Sequence, residues 1–286
     1  MNINHGLIQR RQIVNNLAIA LSAVATVIGL FFLFWILYTT LSRGIEAMSW
    51  NLFTMNTPPA GATEGGIANA LVGSLMMCGL ALLVGAPCGI AAGIYLAEYA
   101  KLGKAGGIIR FVNDILLSAP SIVLGLFAFS LVTALGGSFS GWAGAFALMM
   151  IALPVIVRTT DEMMRLQPKQ LREASLSLGI PLWKVNTQIL LRAALPGVTT
   201  GVLLALARIS GETAPLLFTA LGNSFFSLNM SEAMESVPTS IAKLAMNPDE
   251  FWNKLAWAAA FLMTSFVLLI SVLARIILRT NKAAND

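Results

Sequence analysis

Arg208 and Glu212 stand four residues apart in ALARISGETAPLLF, a stretch otherwise made for lipid. On a helix that spacing puts both side chains on one face, about one turn apart, so each partly neutralises the other. A charge at mid-bilayer costs about 2.5 to 3.5 kcal/mol on insertion scales. Such a pair is therefore either an ion pair that fixes helix register or part of a polar pathway. Pro215 cannot donate to the carbonyl of Gly211, and Gly211 itself weakens a helix, so the backbone is expected to open near Glu212. Ser210 and Thr213 could satisfy the freed groups. An intramembrane charge beside a helix break favours the pathway. Arg208 suits an oxyanion, to which a guanidinium donates two parallel hydrogen bonds. Glu212 repels the same anion, so its expected task is to hold or gate Arg208 between cycles.

Little else in the chain could do chemistry. No phosphate-cradling G-x-x-x-x-G-K-[ST] occurs, and the nearest fragment, Gly103-Lys104-Ala105, lacks the upstream glycine and the hydroxyl. The single histidine, His5, sits in the N-terminal tail, which leaves no histidine cluster for a metal and no catalytic triad. Asp161 and Glu162 lie at helical spacing from Arg158 and Arg165 and read as solvated ion pairs. Arg110 and Asp114 form another i, i+4 pair, read as interfacial anchoring with gating as the alternative. Glu64 and Glu98 read as solvated acids at membrane edges. No catalytic residue, metal or cofactor is expected.

These residues need a lipid-embedded frame, and the composition supplies one. The chain is 57% hydrophobic and 11% charged, where a soluble domain averages about 25% charged residues. Segments able to cross a bilayer, which takes about 20 apolar residues, run from Leu17 to Leu41, Ile67 to Leu96, Ile115 to Leu135, Trp142 to Val157, Leu195 to Leu221 and Leu255 to Leu278. The fourth is short. With the N-terminus inside, the inner segments hold Arg10, Arg11, Lys101, Lys104, Arg110, Arg158, Arg165, Lys169, Arg172, Lys184, Arg192, Arg275, Arg279 and Lys282, 14 of the 18 basic residues. Outside are Arg43, Lys243 and Lys254, and Arg208 lies within a span. The positive-inside rule thus gives an all-α polytopic membrane protein with six transmembrane helices and both termini cytoplasmic. The net charge of +5 then reads as membrane topology and not as a nucleic-acid surface.

Ala23-Val24-Ala25 resembles a signal cleavage site, but the apolar run continues to Leu37, beyond the length of a signal core, and reads as an uncleaved first helix. Cys78 and Cys88, ten residues apart on one helix, are too distant for a disulfide and read as buried filler. Gly85, Gly89 and Gly93, flanked by Ala81 and Ala97, recur every fourth residue and let a neighbouring helix approach, expected within the monomer with a dimer seam as the alternative. Pro87 beside them is expected to kink the helix. Gly136 to Gly141 forces an antiparallel hairpin. The outer loop from Gly222 to Lys254 reads as broken at Pro238 and Pro248, either a solvated connector or a contact for a soluble partner.

The one long polar interruption on the inner side runs from Pro168 to Arg192. Pro168, Gly179 and Pro181 punctuate it as two short helices meeting at an elbow. Leu171, Ala174 and Leu178 give the first of them an apolar stripe. A membrane protein that shows such a stripe to water normally presses it against something soluble.

Glu173, Ala174, Gly179, Ile189 and Leu191 resemble the EAA loop of ABC-transporter permeases, which docks the permease into its ATP-hydrolysing subunit. Ser175 replaces the second alanine of that pattern, and Arg192 stands in place of its proline. Together with TEGGIANALVGS at 63–74, FVNDILLSAPSIVLGLF at 111–127, VRTTDEMM at 157–164 and GETAPLLFTAL at 211–221, nearly the whole chain resembles the permease subunits of bacterial phosphate-specific ABC importers. Some segments also resemble the sister permease of those importers. The resemblance implies the ABC type I importer permease fold in the bacterial inner membrane. It also implies a second permease subunit, a pair of ATPase subunits inside, a periplasmic phosphate-binding protein outside, and phosphate as the transported ion. The expected parts are a tail, first helix and periplasmic loop (1–66), the importer transmembrane domain (67–279) with its coupling loop (168–192), and a C-terminal tail (280–286). Three alternatives remain open on the residues alone: a permease for molybdate, sulfate or phosphonate, an ion-coupled secondary transporter using Arg208 and Glu212 as a relay, and a membrane scaffold without transport.

Overall fold

A computed structural model describes residues 5–100 and 103–283, and the described residues are almost wholly helical. Lys101, and the side chains of His5, Arg279 and Lys282, lie outside the described residues. In chain order the helices are α1 (His5–Glu46), α2 (Asn51–Thr54), α3 (Ala68–Glu98), α4 (Lys104–Ser118), α5 (Ser121–Ala134), α6 (Gly141–Arg165) and α7 (Lys169–Ser177). Next come α8 (Leu182–Lys184), a π-helical turn (Val185–Leu190) and α9 (Leu191–Ser210), which run together as one helix. α10 (Ala214–Thr219), α11 (Val237–Ala245) and α12 (Glu250–Ala283) complete the set.

Among the described residues, five helices are long and apolar enough to cross a membrane. The pair α4 and α5, bent by 110°, makes a sixth where it is counted as one broken span. The expected third span, Ile115 to Leu135, is therefore not one continuous helix. Ala119 and Pro120 are both extended, with ψ of 139° and 132°. Proline lacks the N–H that the helix needs and disfavours helical geometry in the residue before it. Pro120 was the signal, and hydropathy alone ran past it.

Three more boundaries differ. α6 has 25 residues, so the fourth span is not short. Its charged end, Arg158 to Arg165, continues the helix beyond the lipid-like part. The expected fifth span ends at Ser210 and does not continue to Leu221. In the outer loop, Pro238 does not break structure but opens α11, whose start is closed by a reciprocal Ser236–Thr239 capping box.

The small-residue seam packs within the chain. Gly85, Gly89 and Gly93 of α3 are buried against Met149, Ile156 and Thr160 of α6. A β-carbon at Gly93 would lie 2.5 Å from Thr160 Cβ, so only glycine lets these axes approach so closely. Cys78 is buried near this core, but Cys88 is exposed and is not filler.

A central apolar cluster unites Met77 and Ala81 of α3, Leu124 of α5, Leu148 and Ile151 of α6, Ala205 and Ile209 of α9, and Leu216 of α10. An inner cluster of Ala97, Met164, Val185, Leu190, Ala194 and Val198 lies beneath the elbow. An outer one joins Leu52, Ile67, Val237, Leu244 and Leu255. α1 stands apart from all three. Residues 10–36 are exposed throughout, and the helix meets α12 near its far end, where Arg43 lies 5.1 Å from the Trp257 ring centroid.

Candidate functional site

The break near Glu212 is present, and it changes the setting of both charges. α9 ends at Ser210, Gly211 leaves helical geometry (φ −92°, ψ 0°), and α10 restarts at Ala214 with Pro215 in its first turn. Arg208 lies in the last turn of α9 and Glu212 just beyond it, so the pair sits at a helix terminus and not inside a continuous span. The C-terminal end of a helix carries partial negative charge, which favours Arg208 there. Ile209 and Leu216, on either side of the turn, are anchored in the central cluster. The backbone is held while the guanidinium is left accessible.

Arg208 Nε lies 3.9 Å from Glu212 Oε1, with the two side chains 43% and 17% exposed. That distance is too long for a hydrogen bond. Arg208 therefore keeps donors that an anion could use. Ser210 Oγ donates to the Leu206 carbonyl at 2.7 Å and is committed within α9, not to the break. Thr213 precedes α10 without a side-chain cap, and its carbonyl accepts from the Leu217 N–H. So the structure brings Arg208 and Glu212 together, while the side chains of Ser210 and Thr213 do not satisfy the groups freed at the break.

On the inner side the charges pair differently from their sequence spacing. Arg110 Nε donates to Asp161 at 3.0 Å, and its Nη2 donates to the carbonyl of Leu96. Asp114 accepts from Arg158 at 3.2 Å. The expected Arg110–Asp114 pair is thus replaced by two bridges from α4 to α6. Asn113, between them, donates to the carbonyl of Pro154 at 3.2 Å. The helical-spacing pairs Arg158–Glu162 (2.9 Å) and Arg165–Asp161 (2.8 Å) are present. Asp161 is nevertheless buried, not solvated, because Arg110 covers it from α4.

The elbow has the expected punctuation. Pro168 caps α7, Gly179 takes φ +74° in the left-handed region where glycine is strain-free, and Pro181 caps the next helix. There is no second short helix: the chain from Leu182 runs unbroken past Arg192 to Ser210. The predicted stripe divides. Leu171 turns inward onto the inner cluster, whereas Ala174 is exposed and Leu178 is 80% exposed. Glu173, Leu176, Leu182 and Trp183 are exposed around them. The inward side is held by Arg172, which pairs with Glu98. Glu98 is not a solvated acid, since its side chain is only 2% exposed.

Two supports escaped sequence reasoning. Glu235, buried, accepts from Lys243 at 2.8 Å, and Lys243 also reaches the carbonyl of Leu221, which holds the loop leaving α10. Leu221 carries a positive φ of 62°, a strained value for leucine. Asn69 Nδ2 donates to the Asn223 carbonyl at 2.8 Å and ties the start of α3 to the same loop. Pairs separated by 154 residues leave no local signal.

Residues 89–282 match the sequence model of the binding-protein-dependent transport system inner membrane component family. The chain belongs to that family. This permease is 54% identical over 98% of its length to the phosphate transport system permease protein PstA of Xylella fastidiosa, covering 97% of that protein. It is 52% identical over 93% of its length to the protein of the same name from Pasteurella multocida, covering 95% of it. Among solved structures, a bacterial ABC transporter involved in import of the acidic polysaccharide alginate superimposes with a TM-score of 0.64 at 13% identity, over 95% of the permease and 98% of that chain. The permease is an all-helical, multi-pass membrane protein with the ABC type I importer fold.

Proposed function

We propose that this permease is a transmembrane subunit of an ATP-driven phosphate importer of the bacterial inner membrane, forming half of the translocation pathway. The full-length similarity to proteins named as phosphate transport permeases carries the reading. The geometry fits it. Arg208 sits at a helix end with accessible donors, the chemistry a tetrahedral oxyanion needs. Its exposure in a single chain fits a pathway completed by a second permease subunit. The exposed apolar face around Leu178 is the docking face for an ATPase subunit, with a pair of these inside and a phosphate-binding protein outside. An ion-coupled transporter has no use for that face, and a scaffold has none for Arg208.

In this reading, ATP-driven closure of the ATPase pair moves the elbow and alternates access around Arg208, and this chain itself hydrolyses nothing. Glu212 competes with the anion for the guanidinium and sets how readily it is released. Arg110 and Asp114, on the inner ends of the α4–α6 bridges, belong to the gate. The deciding experiment is uptake of radiolabelled phosphate by the reconstituted complex, with molybdate and sulfate as competitors. Arg208→Gln stops uptake while assembly and ATP hydrolysis persist, and Glu212→Gln lowers both KM and the maximal rate. Normal uptake by Arg208→Gln removes that residue from the pathway.

A further inference from the structure

We propose that Glu98 is the positioning residue through which the docking elbow drives the broken span. This rests on reading α7 as the ATPase-docking helix. The inward side of α7 consists of Leu171, Arg172 and Ser175, and Ser175 Oγ is spent on the carbonyl of Leu171. Arg172 is therefore the charged tie between that helix and the membrane core. Its partner, Glu98, ends α3 with a side chain 2% exposed. Removing either partner of so buried an ion pair is costly, so the pair binds the two helices to move together.

Two residues earlier on the same turn, the carbonyl of Leu96 accepts from Arg110 of α4. The last carbonyls of a helix have no partner within it, so this one is available to an arginine from elsewhere. The final turn of α3 thus receives α7 on one side and α4 on the other. Arg110 also binds Asp161 at 3.0 Å, so α4 is fixed to α6 at the same level. From there α4 leads through the extended Ala119–Pro120 corner into α5. Gly125 of α5 lies directly on Pro215, three residues from Glu212. Glu98 stands where displacement of the elbow is passed to the helix that borders the Arg208 turn. Contiguity of this kind supplies a route, and the strength of coupling is what must be measured.

The test uses the complete transporter in liposomes: this chain, the second permease subunit, the ATPase pair and the phosphate-binding protein. Uptake of radiolabelled phosphate and ATP hydrolysis are measured on one preparation. Glu98→Gln is expected to copurify with the ATPase and hydrolyse ATP, while phosphate moved per ATP falls by about 5- to 150-fold, the usual span of intersite coupling. Exchanging the charges, Glu98→Arg with Arg172→Glu, restores most of that ratio. An unchanged ratio in Glu98→Gln overturns the proposal, and so does an exchange that restores nothing. If uptake and hydrolysis decline together, in proportion to the complex that survives, Glu98 only maintains the fold and the proposal fails. A wild-type complex that moves phosphate with no ATPase subunit present overturns the parent reading instead.

Discussion

Gly125 of α5 and Pro215 of α10 touch so closely that a β-carbon on the glycine would lie 2.5 Å from Pro215 Cα. This contact joins the second half of the broken span to the turn that carries Arg208 and Glu212. The contact falls on α10, a helix of six residues that begins just after Glu212.

Gly125→Ala is therefore expected to lower stability by about 1 to 3 kcal/mol, the usual cost of overpacking. Thermal unfolding in detergent measures it. Gly79→Ala, inside α3 with nothing within 4 Å of the new carbon, is the matched control and should slightly raise the midpoint, because alanine is the better helix former. Equal effects of the two would mean that the close approach is not a constraint.

The two inner bridges differ in burial and should differ in consequence. Asp161, 11% exposed and flanked by Arg110 and Arg165, accepts charge-assisted bonds away from bulk water. Asp161→Asn should cost about 1.5 to 3 kcal/mol. Asp114 is 61% exposed, and Asp114→Asn should fall within the small range of surface ion pairs. Chemical denaturation of both variants would reveal a wrong assignment if Asp114 proved the costlier loss.

At the elbow, Gly179→Val forces a β-branched side chain into φ +74°, a penalty of about 1 to 2 kcal/mol, and turns α7 away from its present course. Leu178→Asp acts differently, because the side chain is already 80% exposed. It should leave the unfolding midpoint of the isolated permease alone yet abolish copurification of the ATPase subunit. Retention of the ATPase by Leu178→Asp would show that docking uses another surface.

Asp249 supplies a pH dependence outside the membrane. The N–H of Trp252 holds its carboxyl below the ordinary carboxylate range; desolvation opposes this, and the N–H groups of Gly61 and Phe251 add smaller lowering contributions. A lowered folded-state pKa means that the stabilisation is complete above the unfolded value of about 3.9 and is lost as pH falls through the folded value. The midpoint difference between the wild type and Asp249→Asn should thus be constant from about pH 7 to about pH 5 and close below that. A gap that persists in strong acid would exclude the carboxylate as its source.

Much of the frame was legible because lipid imposes simple rules. Long apolar runs and the glycines at every fourth residue of α3 give helices and a packing seam from local composition. Gly179 and Pro181 gave the elbow, since left-handed backbone and a missing N–H are properties of single residues. Pro120 carried the same kind of signal, yet an unbroken hydropathy masked it.

Charge partners were another matter. Spacing proposed Arg110 with Asp114 and left Glu98 in water, whereas folding gave Arg110 to Asp161 and Glu98 to Arg172. Residues one turn apart always look like partners in a sequence, but a neighbouring helix can offer a closer or drier one. The chain by itself determined most of the helices and the elbow at Gly179. Only the tertiary structure decided which charges meet, because that depends on which helix ends converge, and burial then makes the cross-helix pair the one that must form.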